Sequence, residues 1–150
     1  MVYEKKYVEL VNVGKIFMAI FRLQKNTVGH KGEKEAVKFL KKQGYKILDR
    51  NWCNDKGKRI GEIDIVAQNK KSGEIVFVEV KTRLVSKDDK NILPQEQITF
   101  SKLNKINRIA EIYIKEHDLW DSMWRIDAIS VIFVNGKKRA KIEHVQNIFL

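Results

Sequence analysis

The chain is poor in the residues that cross-link, break or anchor a protein. Cys53 is the only cysteine among 150 residues, so no intrachain disulfide can form. That fits a reducing, cytoplasmic setting. Pro94 is the only proline and there are eight glycines, which excludes a low-complexity linker dividing the chain. No internal repeat is present. Long apolar runs are missing too: the longest near the N-terminus is Ile16 to Phe21, bounded by Lys15 and Arg22. Crossing a bilayer takes roughly 20 residues, and the stretch lacks the small-residue cleavage site of a secretory signal. It reads as a short helix packed on the body of the protein. Acidic residues are the last shortage, with 19 Asp and Glu against 30 Lys and Arg, a formal net charge of +11.

What is present describes one folded domain. A hydrophobic fraction of 43% beside 33% charged residues belongs to a globular chain rather than a disordered one. A domain this basic attracts polyanions, nucleic acid first among them. A lysine-rich proteome or an anionic membrane surface would give the same sign, and charge alone does not separate the three. The reading adopted is nucleic acid, DNA favoured, and no membrane.

Residues 1–28 read as a helical N-terminal extension and residues 29–150 as the folded domain. Gly29-His30-Lys31-Gly32 leads into a helix from Glu33 to Gln43, with Ala36, Val37 and Leu40 as its apolar stripe and Gly44 as its C-terminal cap. Strands are predicted at Tyr45–Trp52, Ile60–Ala67 and Glu74–Lys81, the last two joined by a polar turn as an antiparallel hairpin. Asp88–Gln97 reads as a mobile loop. A helix from Ser101 to His117, with Leu103, Ile106, Ala110 and Tyr113 on one face, then crosses over to strands at Arg125–Val134 and Lys141–Ile148. Such a crossover places the Arg125 strand parallel to a central one. The expected architecture is α/β, a mixed sheet flanked by helices.

The chemistry concentrates in the hairpin. Central strands covered on both faces should be almost wholly apolar, yet Gly61-Glu62-Ile63-Asp64 and Val78-Glu79-Val80-Lys81 carry charge. The two-residue period puts Glu62 with Asp64 on one face, and Glu79 with Lys81 on one face. Carboxylates set among Ile and Val cost free energy unless a cation compensates them. A divalent ion does so with one or two protein carboxylates. Asp64 and Glu79 can share one ion, the Val80 carbonyl can add an oxygen, and Lys81 can hold a phosphate or orient water. Those are the parts of metal-assisted phosphodiester hydrolysis. Glu33, three, four and seven residues before Ala36, Val37 and Leu40, shares the helix's apolar face and can bring a third carboxylate from that side. The same residues also read as ordinary ion pairs on a solvated sheet face, and Glu33 as a first-turn acid favoured by the helix dipole.

Gly29-x-x-Gly32-Glu33-x-x-Ala36 followed by Gly44-Tyr45-x-Ile47-Leu48-x-Arg50-Asn51 resembles the start of the bacterial YraN family, also called uncharacterised protein family 0102. Gly61-Glu62-Ile63-Asp64, Phe77-Val78-Glu79-Val80-Lys81-x-Arg83, Thr99-x-x-Lys102, Arg125-x-Asp127 and Ile142-x-His144-x-x-Asn147-x-Phe149 continue the likeness in order, over about residues 29–149. The family resembles archaeal Holliday junction resolvases of the PD-(D/E)xK group. The resemblance implies a restriction-endonuclease-like fold and a nuclease constellation of Glu33, Asp64, Glu79 and Lys81. Glu-Ile-Asp stands here where the group's name has Pro-Asp, and residues 1–28 lie outside the likeness.

The resulting expectation is a nuclease that uses Mg²⁺ or Mn²⁺, with Asp64 and Glu79 as ligands, Glu33 as auxiliary ligand and Lys81 as catalytic cation. Arg83 and Lys102 would contact phosphates. A homodimer would suit a symmetric junction. The rivals are a non-catalytic nucleic-acid-binding module of the same fold and a scaffold whose basic face meets an acidic partner. His30, His117 and His144 have no metal-ligand spacing and read as surface or packing residues. Asp127 reads as a structural partner of Arg125. Trp52, Trp120 and Trp124 read as core or loop packing ahead of base stacking, and Lys137, Lys138, Arg139 and Lys141 as a solvated run beside a turn ahead of a phosphate contact.

Overall fold

A computed structural model describes residues 27–54, 60–86 and 99–148. Helix α1 spans 27–42 and is followed by strands β1 (Tyr45–Trp52), β2 (Ile63–Asn69) and β3 (Ile75–Val85). Helix α2 (Phe100–Glu116) leads to β4 (Trp124–Val134) and β5 (Lys141–Val145). The sheet is mixed, in the order β1-β2-β3-β4-β5. Only β3 and β4 run parallel, because α2 carries the chain back across the sheet between them. The expected hairpin is the antiparallel β2–β3 pair. The loop read at Asp88–Gln97 and residues 1–26 of the extension read at 1–28 lie outside the described residues, while residues 27 and 28 belong to α1.

Alternation along the strands sorts the core into two layers. Ile75 and Phe77 of β3 face α2 and pack with Ile106, Ile109, Ala110 and Tyr113. Val76 and Val78 face α1 and pack with Ala36 and Leu40. The result is the α/β arrangement of a restriction-endonuclease-like fold, a mixed sheet with a helix on each face. Leu103, expected on the buried stripe of α2, is only half-buried, and Ile109 and Ile114 take the interior places.

Helix α1 begins earlier than its glycines suggest, since 29–32 are already helical. Gly32 is there for closeness rather than flexibility. A Cβ at this position would lie 1.8 Å from Thr82 Oγ1, so α1 approaches the far end of β3 only because residue 32 has no side chain. Gly44, at φ +87°, ends the helix in the left-handed region as expected. Its carbonyl accepts from the Lys70 N–H at 3.1 Å, which ties the helix end to the β2–β3 turn.

The far side of the sheet is held by a buried carboxylate. Asp127 is completely buried. Its Oδ1 accepts from Arg125 Nε at 2.9 Å and from the Asn147 N–H at 2.8 Å, while Oδ2 lies 2.8 Å from His144 Nε2. Arg125 also reaches Glu74 and the Tyr45 hydroxyl. Burial opposes ionisation of Asp127, but His144, Arg125 and the Asn147 N–H outweigh it and hold the carboxyl below its ordinary range. The structural role expected of Asp127 is therefore the observed one.

Trp52 and Trp124 pack edge-on against Tyr113 and Phe77, as their packing role requires. Trp120 does not: it stands 63% exposed just past the end of α2, outside both core clusters. Lys137, Lys138, Arg139 and Lys141 are all exposed, a solvated run as read.

Candidate active site

The site forms where the β2–β3 ladder stops. Paired rungs run from Gln68 with Ile75 to Ile65 with Val78, and the next would join Asp64 to Glu79. Strand β3 nevertheless continues beside β4 as far as Val85. The Val80 N–H is taken by a side chain, Asp64 Oδ2, at 2.7 Å. Satisfying that buried donor fixes the carboxylate against β3.

Glu79 and Lys81 project from the α2 side of β3, as alternation from Ile75 and Phe77 requires. Glu79 is buried at 6% exposure, with Lys81 Nζ 3.9 Å from its Oε1. Lys102 Nζ bonds the same oxygen. Thr99 caps α2 through its side chain, accepting from the Lys102 N–H at 3.3 Å, and so starts the helix where Lys102 falls over the end of the sheet. Burial alone would lower the Lys102 pKa, but the bond and charge of Glu79 raise it.

Glu33 comes from the opposite helix, half-buried. Its Oε2 accepts from Asn51 Nδ2 at 3.3 Å and lies 3.6 Å from Arg50 and 3.8 Å from His30. Asn51 has φ +50°, a left-handed conformation that Asn tolerates better than most residues, and it turns the end of β1 toward α1. Arg50 and Asn51 are partners that spacing arguments did not find. Their signal was the Arg-Asn pair closing the first motif.

Asp64 carries the electrostatic consequence. Burial, then the neighbouring Glu79 and more weakly Glu33, push its pKa up to about 7, against the Val80 N–H and Lys102. Glu62 corrects the spacing argument. It lies before β2 begins, exposed, and does not share a strand face with Asp64. Lys102, read as a phosphate contact, is paired with Glu79. Arg83 is half-buried, two residues beyond Lys81 on β3. Among the described residues no three Asp, Glu, His or Cys side chains are grouped so that they could hold a metal ion, so Glu33, expected as an auxiliary ligand, does not join Asp64 and Glu79 in one ligand set. The donor chemistry still suits Mg²⁺ or Mn²⁺, since Mg²⁺ ordinarily takes one or two protein carboxylates and completes its shell with water and phosphate. The crowding of negative charge at Asp64 is what a cation would relieve.

His117 stacks on Tyr113, a packing role, whereas His144 hydrogen-bonds the buried Asp127. Among the described residues no helix is long and apolar enough to cross a membrane.

A family model described as "Uncharacterised protein family UPF0102" matches residues 32–131, a span that contains Glu33, Asp64, Glu79, Lys81 and Lys102. A UPF0102 protein of Caldanaerobacter subterraneus is 41% identical over 131 residues, covering 85% of this chain and 98% of its own. One of Caldicellulosiruptor saccharolyticus is 39% identical over 129 residues, covering 85% and 100%. One of Myxococcus xanthus is 34% identical over 126 residues, covering 84% and 91%. With the family model spanning most of the domain and relatives matched along nearly their full length, this chain belongs to the UPF0102 (YraN) family.

Proposed function

We propose that this protein is a divalent-metal-dependent endonuclease acting on structured or branched DNA. The observation that carries the reading is the pair Asp64 and Glu79 at the open end of the β2–β3 ladder, with Lys81 and Lys102 on the same carboxylate. A binding protein has no need of a buried and a half-buried carboxylate that repel the phosphates it attracts. Asp64 and Glu79 would hold Mg²⁺ or Mn²⁺, which would supply charge stabilisation and an activated water when bound. Asp64 is oriented for that task by the Val80 N–H. Lys81 is placed to meet the charge developing on the phosphate. Lys102 neutralises Glu79 in the free protein and can transfer its contact to an incoming phosphate. Glu33, held by Asn51 and Arg50, orders the side of the site facing α1.

A non-catalytic nucleic-acid-binding module is the second reading, and one observation favours it: Lys102 already supplies Glu79 with a cation. Cleavage of labelled branched and linear DNA in Mg²⁺ and Mn²⁺ separates the two. Asp64→Asn is expected to abolish cleavage and Lys81→Ala to lower it by about 100-fold or more. Both variants should keep the wild-type circular dichroism spectrum and still shift DNA in a gel. Equal cleavage by wild type and both variants would assign the activity to a contaminant, and no cleavage by wild type would leave the binding module.

A further inference from the structure

Beside the carboxylates lies a cleft of about 300 Å³ that shares only Lys102 with the proposed chemistry. Its lining includes Ser101, Lys102, Lys105, Ile106 and Ile109 of α2 together with Glu62. Both isoleucines are buried, at 5% and 1% exposure, so the lining combines an apolar part with two lysines and one carboxylate. Phe100, the first residue of α2, stands 76% exposed next to Ser101. Phe100 does not line the cleft itself, but an exposed aromatic ring adjacent in sequence to its lining is available for stacking on a base.

We propose that this cleft receives one unpaired nucleotide next to the phosphate to be cut, its base on Ile106 and Ile109, its phosphate at Lys102 and Lys105, and the neighbouring base on Phe100. The volume lies at the small end of the roughly 300–1,000 Å³ range of ligand pockets, a space suited to one nucleoside. Lys102 joins the cleft to the site, because its ammonium also bonds Glu79. A base inside an intact duplex is stacked on both faces and paired at its edge, so it cannot lie on an aliphatic lining without leaving the helix. The substrate class that follows is DNA with an unpaired nucleotide at a branch, flap or bulge. This assignment rests on the nuclease reading for its position but not for its test.

Two duplexes of equal length, one fully paired and one with a single unpaired 2-aminopurine nucleotide, are titrated with the full chain in EDTA. Wild type is expected to bind the unpaired form about tenfold more tightly, the scale of one base stacked on an aromatic ring, with a change in 2-aminopurine fluorescence. Ser101→Trp, which fills the cleft, and Phe100→Ala, which removes the ring, should each bring the affinity ratio toward one. Trp120→Ala, at the other end of α2, should leave the ratio in place. Thermal melts of each variant report folding. Equal wild-type affinities, binding to neither DNA, or a ratio unmoved by both cleft variants would overturn the assignment. Cleavage in Mg²⁺ is scored separately. Preference without cleavage keeps the cleft and removes the nuclease, whereas cleavage without preference keeps the nuclease and removes the cleft.

Discussion

Gly32 sets how near α1 comes to β3, and with it the position of Glu33. A methyl group at residue 32 would meet Thr82 Oγ1 at 1.8 Å, Cγ2 at 2.7 Å and Cβ at 2.8 Å. Gly32→Ala should therefore cost about 1–3 kcal/mol, the usual range for overpacking, although Ala is the better helix former. Thr82→Gly in the same chain removes all three contacts and should recover part of that loss. A double-mutant cycle by urea unfolding measures the coupling, and additive losses would mean that α1 does not depend on this contact. The glycine was visible in the sequence as part of a motif. Its reason was not, because Thr82 lies fifty residues away and only the fold brings it near.

At the scale of elements, two hydrogen-bonded acids, one half-buried and one fully buried, tie layers together. Asp49 lies where the β1–β2 register shifts, and its Oδ2 accepts from the Tyr113 hydroxyl of α2 at 2.6 Å. Tyr113→Phe should cost about 1.5–3 kcal/mol, the range for a hydrogen bond to a charged group, read as a lower denaturation midpoint with an unchanged slope. Asp127 ties β4 to β5 and to the Asn147 N–H beyond it. Its folded pKa is lowered from 3.8, so its contribution is complete above the unfolded value and lost as pH falls through the folded one. Asp127→Asn should lower the melting temperature at neutral pH, by an amount equivalent to roughly 3–5 kcal/mol for a broken buried ion pair. It should also flatten the loss of stability below about pH 4. An acid limb as steep in the variant as in wild type would mean that other carboxyls govern it. The Arg125-x-Asp127 spacing pointed to one bond of this network. The others come from β5, β3 and β1, which no local pattern joins to β4.

At the scale of the whole molecule, the net charge of +11 acts as a field rather than as a set of contacts. DNA affinity should fall with salt as counterions are released, by about tenfold between roughly 50 and 200 mM for every two phosphates neutralised. Filter binding at several salt concentrations gives the slope. A flat dependence would turn attention to an acidic protein partner. Divalent binding by calorimetry is a separate check on the site. Asp64→Ala should remove the heat of Mg²⁺ or Mn²⁺ binding, with DNA present where the ion relies on phosphate, and identical titrations of variant and wild type would mean that Asp64 is not a ligand.

The sequence by itself determined the succession of helices and strands, since hydrophobic period, capping residues and turn chemistry are local properties. It also marked Asp64, Glu79 and Lys81, because charge inside an apolar strand is visible without a fold. The two-residue period correctly put Glu79 with Lys81 on one face. It failed for Glu62 and Asp64, where β2 has not yet begun at residue 62 and the ladder stops before Asp64. Only the tertiary structure decided that Lys102 pairs with Glu79, that Asn51 and Arg50 hold Glu33, and that a cleft opens beside them. Each depends on two elements distant in sequence meeting at one end of the sheet, and such meetings are fixed by the packing of α1 and α2 on its two faces.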